Sequence, residues 1–312
     1  MSKKQTISVI IPTKDRPKDV IQCIKSLLTQ SLLADEIVIV DASNEQKLKS
    51  SIEALKSERV NFIYIHTRPG LTYQRNVGIN TSSGDIIIFL DDDVILDRNY
   101  IQQIMHVFNN DLQKNIGGVT GNDMLKKTKT SFKRSIGHYY RTIFFLFIYS
   151  YGKFRLSGYS TFVSNKVKKI LPIECLAGCN MAFRREIFEE FKFDEKLHGY
   201  SYMEDCDIAY RVSQKYQNIY TPFAKLVHNV SPISRDKEYA RMKMEIENHH
   251  YLFKKNFPQN LKHKFAFWWS VAGLFMRQSY DVIMRKEGGK EGLKGLIDGI
   301  MSIKSNKRGA KL

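Results

Sequence analysis

Four short apolar runs recur at helix-length intervals in the first third of the chain: Ile7-Ser8-Val9-Ile10-Ile11, Ile37-Val38-Ile39-Val40, Val60–Ile65 and Ile86-Ile87-Ile88-Phe89-Leu90. Runs of this kind, rich in β-branched residues and nearly free of polar alternation, read as strands buried on both faces. Between them the period changes. Pro17 opens a helical stretch with Val20, Ile21, Ile24, Leu27 and Leu28 on one face, a second helix is expected near Leu48–Leu55, and a third over Gln74–Ile79, closed by Ser82-Ser83-Gly84. Strands alternating with helices predict an α/β fold with a Rossmann-like, doubly wound and mostly parallel sheet, whose ligands bind outside the carboxyl ends of the strands. Thr13, Asp41 and the triplet Asp91-Asp92-Asp93 all fall at such ends.

The triplet is an electrostatic anomaly. Adjacent carboxylates repel and raise one another's pKa unless a cation relieves them. A solvated acidic turn is the plainer reading of aspartates in a loop. At the exposed end of a buried strand, however, three of them make an oxygen-ligand site for Mg²⁺ or Mn²⁺ carrying phosphates.

The remainder of the chain sharpens this contrast. Forty-nine Lys and Arg against 32 Asp and Glu give a net charge of +17, which calls for an anionic partner or surface: nucleotide phosphates, anionic lipid or nucleic acid. Apolar residues make up 43% of the 312, enough for one large α/β domain or two packed ones. Cys23, Cys175, Cys179 and Cys206 lack Cys-x-x-Cys spacing, so reduced thiols are expected rather than a zinc site. The chain enters its first strand too soon for a signal peptide and has no run of 18 apolar residues, so neither export nor a spanning helix is expected. No signature of a nucleic-acid-binding module appears, and no nucleic-acid partner is expected.

Further along, Ala177–Phe183 reads as a small-residue turn entering a strand, Arg184-Arg185-Glu186 as a helix start, and Met203–Tyr216 as a helix with Ile208, Val212 and Tyr216 on its apolar side. Tyr139–Tyr151 is dense in aromatics, and beyond residue 237 the chain turns helical and basic.

The ordered set Val9-Ile10-Ile11-Pro12-Thr13, Glu36–Asp41, Arg75-Asn76-Val77-Gly78, Phe89–Asp93, Gly178–Arg185 and Met203-Glu204-Asp205-Cys206-Asp207 resembles the inverting family 2 glycosyltransferases of the GT-A fold, over roughly residues 5–230. The resemblance implies a glycosyltransferase domain over residues 1–237, with a nucleotide-binding half to about 125 and an acceptor half over 126–237. It is followed by a basic amphipathic helical region over 238–312. It implies that Pro12, Thr13, Asp15, Asp41 and Arg75 contact the nucleotide, with Asp41 at a position that commonly recognises uracil. Asp91, Asp92 and Asp93 jointly hold metal and ribose, and His228 is a further metal ligand. Asp205 is implied as the catalytic base beside Glu204, and Asn180 and Arg184 as lining the sugar or acceptor pocket. Glu204, Asp205 and Asp207 also suit the charged first turn of a helix. Met203 departs from the common Gly before Glu-Asp, which bears on the loop's flexibility.

These roles share one chemistry. A sugar leaving as a nucleoside diphosphate needs its charge neutralised, by Mn²⁺ or Mg²⁺ on the phosphates, and the acceptor hydroxyl needs a base on the opposite face of the sugar. A nucleotidyltransferase using the same aspartates and metal is the alternative enzyme, and a non-catalytic nucleic-acid- or membrane-binding protein the alternative outside enzymes.

The C-terminal region fits none of this. Phe265, Trp268, Trp269, Ala272, Phe275 and Met276 form one stripe, and Leu293, Leu296, Ile297, Ile300 and Met301 another, among Arg277, Arg285, Lys290, Lys294, Lys304 and Lys307. Such stripes commonly face a core. Paired tryptophans with many cations also describe a helix lying in a membrane interface. The resulting expectation is a cytoplasmic enzyme, peripheral on an anionic membrane face, that glycosylates a glycan or a polyprenyl-linked acceptor in cell-surface polysaccharide synthesis.

Overall fold

The computed structural model describes residues 5–45, 47–55, 58–125, 132–146, 152–197, 201–231 and 237–309. Its contacts divide the chain into two compact units. One comprises Met1–Thr128, Phe162–Gly199 and Glu204–Ser234; the other comprises Lys129–Thr161, Tyr200–Met203 and Arg235–Leu312.

The first unit begins with β1 (Ile7–Thr13), α1 (Pro17–Leu28), β2 (Glu36–Asp41), α2 (Lys47–Glu53), β3 (Asn61–His66), α3 (Leu71–Thr81) and β4 (Ile86–Leu90). The chain then adds β5 (Val94–Leu96), α4 (Tyr100–Asn109) and β6 (Ile116–Asp123); α5 (Phe132–Ile143) belongs to the second unit. It resumes with β7 (Leu171–Ile173), β8 (Asn180–Arg184), α6 (Ile187–Glu190), α7 (Glu204–Ser213) and β9 (Gln217–His228).

Among the described residues the strands form one sheet in the order β3-β2-β1-β4-β8-β6-β9-β5, with β7 on β9. The βαβ half is parallel, as its pattern predicts, with Thr13 in register with Asp41. The chain winds outward from β1 to β2 and β3, then returns to place β4 on the other side of β1. The β1/β4 boundary is thus a topological switch point, where a crevice opens at the carboxyl edge.

Both faces of this sheet are buried, and residue alternation divides them. Val9, Ile11, Ile88 and Leu90 pack with Val20, Ile24, Ile101 and Ile104 on one face. Ile10, Ile87 and Phe89 pack with Phe183, Phe188, Ile208 and Val212 on the other. Each fully buried side chain of this size contributes about 1.5–3 kcal/mol. A Cβ at Gly78 would meet Ile10 Cγ2 at 2.4 Å, so glycine there lets α3 press against β1.

Two departures from the expected elements matter for the site. Arg184 ends β8, and the helix behind it starts only at Ile187. The aspartates do not run into a loop: the chain returns at once as β5, antiparallel to the end of β9, with Val94 opposite His228.

In the second unit α5 is joined by α8 (Glu238–Asn256), α9 (Leu261–Ile283) and α10 (Gly289–Gly309), around a core that includes Ile246, Phe253, Phe267, Leu274 and Leu296. Phe147, Tyr149 and Tyr151 of the aromatic stretch lie outside the described residues. Among the described residues no helix is long and apolar enough to cross a membrane.

Candidate active site

At the switch point the ends of β1 and β4 are cross-linked. Thr13 Oγ1 donates to Asp92 Oδ2 at 2.7 Å, and Arg16 reaches Asp92 Oδ1 at 3.0 Å and Asp93 Oδ2 at 3.6 Å. Asp92 is almost fully buried. Burial pushes its pKa up to about 7 against the pull of Thr13 and Arg16, and its aspartate neighbours add to the rise. Asp93 goes the other way. Burial would raise it, but His228, the Ser231 amide at 2.8 Å and Arg16 hold it below the usual carboxylate range.

Asp91, Asp93 and His228 offer ligand atoms that all lie within 4.8 Å of one another. Asp93 is buried, and its Oδ1 sits 2.9 Å from His228 Nε2. Burial alone would lower the His228 pKa. Asp93, Cys179 and the Asp91 charge outweigh burial and push it up to about 11, so the ring itself serves as the cation among these acids. Two carboxylates and an imidazole with ligand atoms this close together fit a divalent ion with oxygen and nitrogen ligands, whose binding would displace the imidazolium proton.

The second acidic pair lies one guanidinium away. Arg75, from α3, is among the largest fully buried side chains; it binds Glu204 Oε1 at 2.6 Å, Asp91 Oδ1 at 3.3 Å and the Gly178 carbonyl at 3.0 Å. Asp205 lies in the first turn of α7, where the helix dipole favours an acid. Its Oδ2 accepts the Gly178 amide at 3.0 Å and its Oδ1 the Cys206 amide at 2.7 Å. A Cβ at Gly178 would sit 3.0 Å from Asp205 Oδ2, so the absence of a side chain there is part of the cradle. Burial raises the pKa of both Glu204 and Asp205, and the pair titrates together. Asp207 is committed elsewhere, to Arg211 at 2.7 Å. Met203, where the resemblance leads one to expect glycine, has φ +75°, the left-handed backbone that glycine adopts without strain.

The remaining expected residues divide by position. Asp15 (φ +57°) is exposed; its amide donates to Ser43 Oγ at 2.7 Å, and Ser43 donates to Asp41 Oδ1 at 2.5 Å. Asp41 is fully buried and also accepts from Tyr64 at 2.8 Å. Pro12 is buried within β1, opposite Val40. Asn180 starts β8 beside the end of β4, but its amide oxygen is taken by Thr120 Oγ1 at 2.8 Å and Gly121 N at 2.6 Å. Asn180 still edges a cavity of about 20 Å³, together with Asp123, Phe162 and Ala177.

Arg184 is not brought to the site. A five-residue strand carries it to the opposite edge of the sheet, opposite Ile86, where it pairs with Asp111 at 3.0 Å. A groove of about 890 Å³ opens at that edge, bounded by Asp85, Met105, Asp111 and Arg184. It is larger than the cavity beside Asn180, but it holds none of the clustered carboxylates.

Sequence reasoning passed over Arg16, Gln74, Cys179 and Ser231. Gln74 Nε2 donates to the carbonyls of Thr13 and Val40, both at 2.9 Å, tying the ends of β1 and β2. A cation between a strand-end threonine and the Pro17 that opens a helix was the one available signal, for Arg16. Cys175 and Cys206 lie close (Sγ–Sγ 3.6 Å), and all four cysteines are free thiols.

Comparison with known proteins agrees with this geometry. The chain is 26% identical over 255 residues, 75% of its length and 78% of the other's, to a GalNAc(5)-diNAcBac-PP-undecaprenol beta-1,3-glucosyltransferase of Campylobacter jejuni. It is 36% identical over 87 residues to an uncharacterized glycosyltransferase of Haemophilus influenzae, a match spanning only 28% of this chain and 29% of that one. A match to the glycosyltransferase GlyG of Streptococcus pneumoniae likewise spans about a third of each chain. The fold is similar to that of the mannosyltransferase PcManGT of Pyrobaculum calidifontis, solved with GDP-Man and Mn²⁺, at TM-score 0.58 and 14% identity over 96% of this chain and 87% of that one. It is also similar to GalNAc-T7 with UDP, GalNAc and Mn²⁺, at TM-score 0.59 and 15% identity, over 92% of this chain and 59% of that one. Both similarities place the sheet among GT-A folds. The glycosyl transferase family 2 signature matches residues 8–192, from β1 through β8 and the acidic trio between them, and the chain belongs to that family.

Proposed function

We propose that this chain is a metal-dependent, inverting glycosyltransferase. It moves a sugar from a UDP- or dTDP-linked donor to a hydroxyl of a glycan or polyprenyl-linked acceptor, in cell-surface polysaccharide synthesis on the cytoplasmic face of a membrane. Residues 1–237 supply the catalytic domain, with its donor half before about residue 125, and residues 238–312 a basic helical region. The observation that carries the reading is the Asp91–Asp93–His228 cluster, linked through Arg75 to the Glu204–Asp205 pair. The lipid-linked substrate in the Campylobacter relative's name supports the acceptor class.

In this reading Asp91, Asp93 and His228 hold Mn²⁺ or Mg²⁺. When bound, the ion supplies Lewis-acid neutralisation of the diphosphate leaving group. Asp92, able to carry a proton near neutral pH, faces the ribose with Thr13, while Asp15 and the Asp41–Ser43 pair set the base end of the crevice. Asp205 takes the acceptor proton on the face of the sugar opposite the leaving group. The Gly178 and Cys206 amides fix the orientation of its carboxylate, and burial brings its pKa toward working pH. Arg75 keeps the two acidic groups apart in charge, so that the base is not quenched by the metal end.

Titration calorimetry with UDP tests the donor half. Binding should require Mn²⁺, and Asp93→Ala should weaken the Mn²⁺–nucleotide complex by at least about tenfold, since even outer-sphere metal partners contribute on that scale. UDP binding indifferent to both would overturn the reading, and release of pyrophosphate during turnover would transfer it to a nucleotidyltransferase.

A further inference from the structure

Helix α9 is apolar on both sides. Its inner side, with Phe267, Val271 and Leu274, belongs to the core of the second unit. Its outer side carries Leu261, Phe265, Trp268, Trp269, Met276 and Ile283, with Leu261 87% exposed, Phe265 63% and Ile283 76%. At 3.6 residues per turn, these six fall within an arc of roughly 120° running the helix's length of about 34 Å. A core-facing stripe accounts for the first side and leaves the second unexplained; an exposed apolar surface of this extent marks an interaction site.

The rings on the outer side are held in place rather than loosely displayed. Trp269 Nε1 donates to the Ile143 carbonyl at 2.9 Å, Phe144 stacks on Trp269 at 5.0 Å and Phe265 at 5.9 Å, and the Tyr140 hydroxyl caps the Gly273 carbonyl. Charge then selects the partner. Lys262 and Lys264 flank the arc on its two sides, Arg277, Arg285 and Lys286 follow, and α9 has no carboxylate before Asp281, which is engaged by Lys286. An apolar arc edged by cations alone suits an anionic bilayer surface, with the helix lying in the interfacial plane and not across it.

We propose that the outer face of α9 docks this chain onto an anionic phospholipid bilayer. This deepens the membrane placement proposed above. Lipid binding is measured without donor or acceptor, so its failure is read separately from a failure of glycosyl transfer.

The chain's two tryptophans, Trp268 and Trp269, both lie on this face and report on it directly. Phosphatidylcholine vesicles containing phosphatidylglycerol should pellet the full-length protein at low salt, blue-shift its tryptophan emission and allow quenching by brominated lipid. Pure phosphatidylcholine should do so far less. The exposed-site triple variant Phe265→Ser/Met276→Ser/Ile283→Ser should partition at least about tenfold more weakly, and Lys262→Gln/Lys264→Gln about fivefold more weakly per charge, with thermal unfolding and Mn²⁺–UDP affinity unchanged. A protein that stays in the supernatant with anionic vesicles, or a triple variant that pellets like the parent, overturns the proposal. So does a vesicle-indifferent dimer that the triple variant dissociates, which would give the face to a second copy of the chain.

Discussion

Two ends of one five-residue strand, β8, lie near buried arginines, and the two surroundings are built to opposite rules. At the Arg184 end the account closes. Arg184 meets one acid, Asp111, and also donates to the carbonyls of Phe108 and Ile116; Asp111 accepts the amides of Asn115 and Ile116. Arg184 and Asp111 thus satisfy each other and the backbone around them. At the Asn180 end five carboxylates, Asp91, Asp92, Asp93, Glu204 and Asp205, are set against only Arg16, Arg75 and His228. Surplus negative charge in a buried place is destabilising by itself. It persists where a cation and a proton transfer give it work, which is why the crowded end, and not the larger groove at the other, is the candidate site.

The sharpest way to break this contrast is to neutralise the acid assigned to chemistry. Asp205→Asn keeps the shape and still offers an oxygen to the Gly178 amide. Turnover should nonetheless fall by about 10²–10⁴-fold, the usual contribution of a general base. Mn²⁺-dependent UDP binding should stay within about twofold of the parent, because the metal cluster is untouched. Near-normal turnover in a nucleotide-release assay would remove Asp205 from its role.

The opposite end should respond in the opposite currency. Arg184→Met leaves the half-buried Asp111 without its cation, though still with two backbone amides, and should lower unfolding stability by about 2 kcal/mol, a Tm drop of roughly 4–8 °C, while kcat of the folded fraction and UDP affinity hold. A selective loss of acceptor affinity without loss of Tm would instead return Arg184 to the acceptor pocket that family resemblance suggested for it.

That reassignment shows where sequence reading runs out. The βαβ half was legible because buried parallel strands announce themselves as unbroken apolar runs, and the strand-end position of Thr13 and Asp91–Asp93 followed from that alone. What lay outside the reading depended on antiparallel pairing across long separations. β8 enters beside β4 in reverse, so only three residues of motif separate Asn180 at the site from Arg184 at the far edge. His228 was named through the family resemblance alone; what brings it to the trio is the pairing of β5 with the end of β9. Arg75 illustrates a different limit. Its motif suggested a nucleotide contact; what the motif did not show is that the side chain is buried between Asp91 and Glu204, joining the two acidic groups. For α9 the stripe was visible, but a period cannot say which of two apolar sides is covered.

The smallest effect separates the two ends by pH. Burial, outweighed by the Ile116 and Asn115 amides and by Arg184, leaves Asp111 with a folded-state pKa below its unfolded value. Its stabilisation is therefore complete above the ordinary carboxylate range and is lost only as pH falls through the lowered value. Asp205 is shifted the other way by burial, so the basic form needed for proton transfer is lost at a pH above the ordinary carboxylate range. On acidification kcat should decline first, while Tm is still level, and Tm should fall only in more acidic solution. In Arg184→Met the Asp111 pKa moves back toward its unfolded value, so part of the acid dependence of Tm should disappear while the kcat profile keeps its midpoint. Paired kcat and Tm titrations of the two proteins check this. Coincident acid limbs in the parent, or a kcat midpoint that moves with Arg184→Met, would mean that the two ends of β8 are not electrostatically separate.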